Sequence, residues 1–280
     1  MANTSDFDGL DWSGGGYHGA PKPSEKDVFP ARVQDAPWKA FAIAIAKAKL
    51  GDFTYVSRLV DAFDENCDPL VQKQFKLVLA DTAPHSVVDA IAAQLDTDAE
   101  DMFGELVFDF AEIVAFRGRL TDIPALLRAH EAKHHLRDAE IIPFYISDIL
   151  ETAPSVLATP GYLPSLSEHR TLVLARLDEV ASELSAHGGM QALAYRAEQF
   201  SVPWLAKVAL TAVRFGRMDN DQRRRFEAAT GIDCSSFYKK GRLQPLTAAA
   251  TLEAFLHEEA EAPRFKPGVR YFWGHPIPKS

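Results

Sequence analysis

Val56-Ser57-Arg58-Leu59-Val60-Asp61-Ala62-Phe63, Val88-Asp89-Ala90-Ile91-Ala92-Ala93-Gln94-Leu95 and Ile123-Pro124-Ala125-Leu126-Leu127-Arg128-Ala129-His130 share one apolar pattern. The copies begin 32 and then 35 residues apart. Steps of three and four residues place the large side chains on one helical face. Each copy follows another apolar segment, at 38–50, 70–79 and 102–116. Neither helix of such a pair can bury its stripe alone, so pairs repeating at this period are expected to stack around one continuous core. The predicted class is all-α, an α-solenoid of stacked helical hairpins.

The bulk composition narrows the function classes. With 47% hydrophobic residues in 280, a substantial core is available. The most apolar window, 41–48, is short and carries Lys47, so no membrane span is expected. The N-terminus lacks a basic start followed by an apolar run, which argues against a secretory signal. Cys67 and Cys234 form no spacing motif. Their scarcity suits a reducing compartment, and a cytoplasmic location is the expectation.

The net charge of −9 is concentrated in one block. Residues 51–115 hold 14 acidic side chains against Arg58, Lys73 and Lys76, a net of −11. Asp61, Asp64, Glu65 and Asp68 gather at one turn, and Asp96, Asp98, Glu100 and Asp101 at the equivalent turn one repeat later. Stacking would set the two clusters along one edge, about 10 Å apart. A wall of this sign repels nucleic acid and anionic lipid and attracts a basic protein surface. A solvated face, with some of the aspartates capping helices, is the competing reading.

Residues 1–34 read as an extended leader, glycine- and proline-punctuated, whose Trp12, Tyr17 and Phe29 are expected to pack in part on the helices. Residues 35–152 read as the hairpin region. Its predicted helices cover 37–50, 54–63, 70–79, 86–95, 100–116, 122–134 and 138–151, with Thr121 as a cap. Pro154, Pro160, Gly161 and Pro164 predict a break. Residues 165–280 form a second helical region, with helices at 167–186, 190–200, 203–215, 222–229 and 245–259. No segment shows strand alternation, and the tail from Arg264 is expected to lie across the end of the stack, with Tyr271, Phe272 and Trp273 as plugs.

Few motifs suggest chemistry. His130-Glu131-Ala132-Lys133-His134 matches the H-E-x-x-H pattern, in which two histidines one turn apart hold zinc and the glutamate activates water. Lys133 and Arg128 place charge on that helix, and in the repeat register His130 takes the place of Phe63 and Leu95, a packing position. Arg223-Arg224-Arg225 reads as a solvated helical face better than as a nucleic-acid site. Gly14 to Gly16 lacks the strand and lysine of a phosphate loop, and no G-x-S-x-G occurs. No cofactor, metal or catalytic residue is predicted.

The C-terminal runs Thr230-Gly231-Ile232-Asp233-Cys234, Leu243-Gln244-Pro245-Leu246 and Pro267-Gly268-Val269-Arg270-Tyr271-Phe272-Trp273-Gly274-His275-Pro276-Ile277-Pro278 resemble the ending of bacterial HEAT-repeat-like immunity-type proteins of polymorphic toxin systems. The resemblance covers about the last 60 residues, with the hairpin period upstream in support. It implies a HEAT-like protein, not an enzyme, that neutralises a cognate toxin encoded beside it by occluding the toxin's active site. The partner would be basic, to meet the acidic clusters; no direct contact with nucleic acid or membrane is implied. A general binding scaffold and a zinc hydrolase using His130 and His134 are the alternatives.

Overall fold

The computed structural model describes residues 17–19, 37–62, 69–152, 157–158 and 165–279. Among them lie ten α-helices: α1 (Pro37–Ala48), α2 (Pro69–Thr82), α3 (His85–Asp98), α4 (Gly104–Arg117), α5 (Ile123–Lys133), α6 (Ile141–Leu150), α7 (Leu166–Glu183), α8 (Val202–Arg214), α9 (Asn220–Thr230) and α10 (Pro245–Glu261). Local signals set most ends. Proline occupies the first turn of α1, α2, α5, α8 and α10, where its missing N–H costs nothing. Ser165, Ser201 and Asp219 accept from the amides of Glu168, Trp204 and Gln222 as N-caps. Gly118 and Gly231 close α4 and α9 in the left-handed conformation.

The chain is mostly helical but not purely so. Among the described residues, three two-stranded antiparallel hairpins occur where no strand was expected: β1–β2 (Ala194–Tyr195, Glu198–Gln199), β3–β4 (Tyr238–Lys239, Arg242–Leu243) and β5–β6 (Tyr271–Phe272, His275–Pro276). The helix expected at 190–200 is therefore a 3-10 turn followed by β1–β2. The segment expected as a helix over 54–63 forms a 3-10 turn, Ser57–Ala62. Thr121 does not cap α5; Asp122 occupies that position and its side chain makes no capping bond.

Two compact units divide the chain, one from residues up to Pro84 with Ser201–Pro278, the other from His85–Phe200 with the last two residues. This division runs elsewhere than at the proline-rich break read from sequence, of which 153–156 and 159–164 lie outside the described residues. In the second unit α3 packs on α4 and α5, α4 on α5 and α6, α5 on α6 and α7, and α6 on α7. The shared apolar pattern is what they bury. Val88, Ile91 and Leu95 of α3 and Ile123, Leu126 and His130 of α5 are all interior. In the first unit Val56 and Leu59 are buried likewise; Phe63 lies outside the described residues.

Each unit also encloses an arginine. Arg117, the last residue of α4, has a fully buried side chain. Its Nε donates to Asp122 Oδ2 at 2.9 Å, and its Nη1 donates to Asp89 Oδ1 at 2.6 Å and to the His85 carbonyl at 2.9 Å. Burial works to raise the Asp89 carboxyl, but Arg117 and Arg119 hold it below the usual carboxylate range. Asp122 is raised, because its deeper burial outweighs the same two cations. In the first unit, Asp81 accepts from the Tyr17 hydroxyl at 2.7 Å and pairs with Arg224. Arg270 donates to the carbonyls of Ala80 and Ala83 at the end of α2. Tyr17, from the expected leader, is buried there and meets Phe272 edge-on at 4.9 Å.

Removing one partner of a buried ion pair strands the other, at about 3–5 kcal/mol. Arg117→Ala is therefore expected to destabilise the second unit by that order in urea denaturation. Asp89→Ala, whose carboxylate is half exposed, should cost no more than about 1 kcal/mol. Arg117→Lys should not rescue, since one ammonium cannot span the fork.

Candidate functional site

The carbonyl end of α3 concentrates the acidic side chains. Asp96, Asp98, Glu100 and Asp101 are all exposed around it. The Asp98 carbonyl accepts the amides of Asp101 at 3.0 Å and Met102 at 3.1 Å, so the chain turns tightly there. A carboxylate beside the negative pole of a helix is unfavourable by about 0.3–1 kcal/mol. Nor do these residues cap the next helix: α4 starts at Gly104 rather than near Glu100, and Phe103 stands at its N-cap without a side-chain bond. The capping explanation fails for this cluster. Partial compensation comes from α5, where buried Lys133 donates from Nζ to the Glu100 carbonyl at 2.8 Å. Exposed Arg128 meets Asp96 at 2.8 Å.

A cleft of about 380 Å³ opens beside this turn, lined by Asp96, Glu100, Arg128, Glu131 and Arg170 among others. Arg170 pairs with Glu131 at 2.8 Å. Phe103 is 66% exposed two residues beyond Asp101. Aromatic side chains are enriched at protein interfaces. Sequence reading missed it, because a helix begun at Glu100 hid Phe103 inside a stripe.

The other predicted cluster is placed differently. Asp61 is exposed on the 3-10 turn of the first unit, whereas Asp96 to Asp101 belong to the second. Asp64, Glu65 and Asp68 lie outside the described residues. Other members of the acidic block serve the interior. Asp81 and Asp89 pair with arginines, and Glu112 accepts from the Tyr145 hydroxyl at 3.0 Å. The three consecutive arginines also differ from expectation: Arg223 and Arg224 are buried, Arg223 lying 5.6 Å over the Tyr238 ring.

The H-E-x-x-H segment spans the end of α5 and splits its two rings. His130 is buried and meets the ring of His169 of α7 edge-on at 5.2 Å. His134 is exposed; its Nδ1 lies 2.8 Å from the Glu131 carbonyl and its ring packs on His135. Among the described residues, no group of three histidine, cysteine or carboxylate side chains converges for a metal. Burial, and then the His169 ring, pull His130 from 6.5 down to about 4. Burial lowers His169 too. His169 could have been found, since His169, Val173, Leu177 and Val180 share the buried face of α7.

Comparison of the chain with protein-family models, curated proteins and solved structures returns no match.

Two outcomes are expected here. Above about pH 6.5 neither the folded nor the unfolded state protonates His130; below it the unfolded chain binds a proton that the fold refuses until about pH 4. Stability should thus fall across this window by about 3 kcal/mol from this residue. His130→Phe, matching the repeat register, should lose that part of the acid sensitivity when denaturation is compared near pH 7 and pH 4. Separately, Asp98→Lys should raise the melting temperature slightly, through about 0.3–1 kcal/mol gained at the end of α3. A drop would show that the carboxylate has an internal role.

Proposed function

We propose that this chain is a protein-binding module, HEAT-like in the stacking of its helices, that acts in the cytoplasm as an immunity protein for a cognate toxin. The supporting observation is the turn between α3 and α4. Four exposed carboxylates surround a helix pole that disfavours them, and none of them caps α4. Exposed Phe103 sits next to them. Asp96 is paired with Arg128, but the charge of Asp98, Glu100 and Asp101 weakens the fold without an internal return, which is the mark of a surface kept for a partner. The matching partner is basic, as an enzyme that handles nucleic acid or nucleotides is. The carboxylates would steer the encounter, Phe103 would anchor it, and the bound chain would cover the toxin's active site. Contacts of each helix in the second unit with the next and the next but one support the stacked-hairpin arrangement. The zinc alternative draws no support from rings that lie in different surroundings.

The test is co-expression with the product of the adjacent upstream reading frame, followed by affinity measurement and a growth assay. A tight complex with growth rescue is the expected result. Exchanging Asp98, Glu100 and Asp101 for lysine should weaken binding by about two orders of magnitude, mostly through the on-rate and more strongly at low salt. Phe103→Ala should cost about 2 kcal/mol through faster dissociation. Changing Asp61 and Asp64 reports separately on the other predicted cluster, and Asp96→Lys on a carboxylate already paired with Arg128. Unchanged affinity in the triple variant would end the electrostatic reading, and lack of any complex would end the immunity reading.

A further inference from the structure

The three hairpins are copies of one device. Each has a two-residue tip with positive φ at both positions: Arg196 and Ala197, Lys240 and Gly241, Trp273 and Gly274. Each is closed at its base by the same bond, from Phe200 N to the Leu193 carbonyl, Gln244 N to Phe237, and Ile277 N to Arg270, at 2.8, 2.8 and 2.9 Å. The left-handed tip turns both of its amides outward. In β1–β2 these amides donate to the carbonyls of Asp148 and Ile149 at the end of α6, at 2.8 and 2.9 Å. In β5–β6 they donate to Ala228 and Ala229 at the end of α9, at 2.6 and 2.9 Å. Both hairpins cap a helix C-terminus from outside, satisfying carbonyls that the helix leaves open.

Chain order shows which helix each one takes. β1–β2 follows α7 and caps α6; β5–β6 follows α10 and caps α9. By the same step, β3–β4, which follows α9, would cap α8. But α8 closes itself: Gly216, at φ 65°, directs its amide to Val213 at 2.9 Å, and Arg217 reaches Ala212 at 2.8 Å. This is the glycine-based pairing that satisfies the last carbonyls without help. Among the described residues, the amides of Lys240 and Gly241 meet no carbonyl. The side chains change accordingly. Tyr195 and Phe272, just before the docked tips, are buried, whereas Lys239 in the same place is exposed, as are Lys240 and Arg242. Leu246, in the first turn of α10 directly after this hairpin, is 88% exposed.

We infer that the β3–β4 tip is a docking surface that caps the C-terminal end of an α-helix on a partner protein, one carrying carboxylates in its last turn. The two free amides fit two consecutive carbonyls, as the sister hairpins show. Lys239, Lys240 and Arg242 complement the negative pole and its carboxylates. Exposed Leu246, two residues beyond the bond that closes the base of the hairpin, offers an apolar contact. This surface is basic and lies in the first unit, whereas the acidic turn after α3 belongs to the second.

The full chain, labelled with nitrogen-15 at lysine and glycine, tests this with a synthetic alanine-rich helical peptide of about 20 residues ending in a leucine and acidic last turn. The amide signals of Lys240 and Gly241 should shift on titration, with a dissociation constant of about 1 mM for so small a contact. A peptide of equal charge with its helix broken by proline should bind roughly fivefold more weakly or worse. Lys239→Glu and Arg242→Glu together, which keep both reporting amides, should abolish the shifts while leaving signals elsewhere in place. The inference is overturned if neither amide responds, or if the broken peptide or a short oligonucleotide of equal charge shifts them as much as the helix, which would reduce the tip to a general anion attractor. Concentration-dependent shifts of the chain alone would overturn it in favour of a second copy as occupant.

Discussion

The second unit depends on one guanidinium. Arg117 ends α4, yet its donors reach the start of α3 through the His85 carbonyl, the middle of α3 through Asp89, and the entry to α5 through Asp122. Only a planar fork can hold three directions at once. Its burial need not add net stability, because desolvating the ions offsets much of their attraction. It does penalise any packing of α3, α4 and α5 that would leave the charge unpaired. The next residue, Gly118, has φ 71°, and its carbonyl accepts from Ala194 at 2.7 Å. A side chain there would collide with the Ala194 carbonyl, so the approach of β1–β2 to α4 requires glycine.

Helix ends recur as the points where this chain is decided. Every α-helix leaves its last carbonyls open, and they are satisfied here in several ways. α8 uses its own glycine, α6 and α9 use hairpin tips, α2 uses Arg270, and the Asp98 carbonyl of α3 takes the amides of Asp101 and Met102. At the end of α3, Arg128 pairs with Asp96 and Lys133 takes the Glu100 carbonyl, while the carboxylates of Asp98, Glu100 and Asp101 stay exposed. The β3–β4 tip is the reverse case, a capping group that meets no helix end among the described residues. Both departures from local balance lie at the surface, where a second molecule can restore it.

The −11 block shows why charge counted along a chain differs from charge presented in space. Asp81, Asp89 and Glu112 count equally with Asp98 and Asp101 in the sequence. The first three are engaged by Arg224, Arg117 and Tyr145, and the last two face solvent. Arg223 and Arg224 teach the same lesson with the opposite sign. Three adjacent arginines on one helix turn resemble a solvated face, yet two of them point inward because Asp81 and the Tyr238 ring wait there.

Much of the helical order was readable from the chain itself. Prolines and caps marked helix starts, glycines marked ends, and the apolar pattern picked out Val88, Ile91, Leu95, Ile123, Leu126 and His130 as interior. These features depend on residues within about four positions of each other, the range over which backbone preference and helical periodicity act. The hairpins were not readable, because two-residue strands have no alternation and their left-handed tips include Arg196, Ala197, Lys240 and Trp273 in place of glycine. Nor were the partners of the charges. Arg117 finds Asp89 across 28 positions, Arg224 finds Asp81 across 143, and the His18 amide finds Glu227 across 209. Sequence determined where helices could form and which face they would bury. Tertiary structure decided which charges were consumed inside and which remained to meet another molecule, because a pairing in space leaves no local mark on the chain.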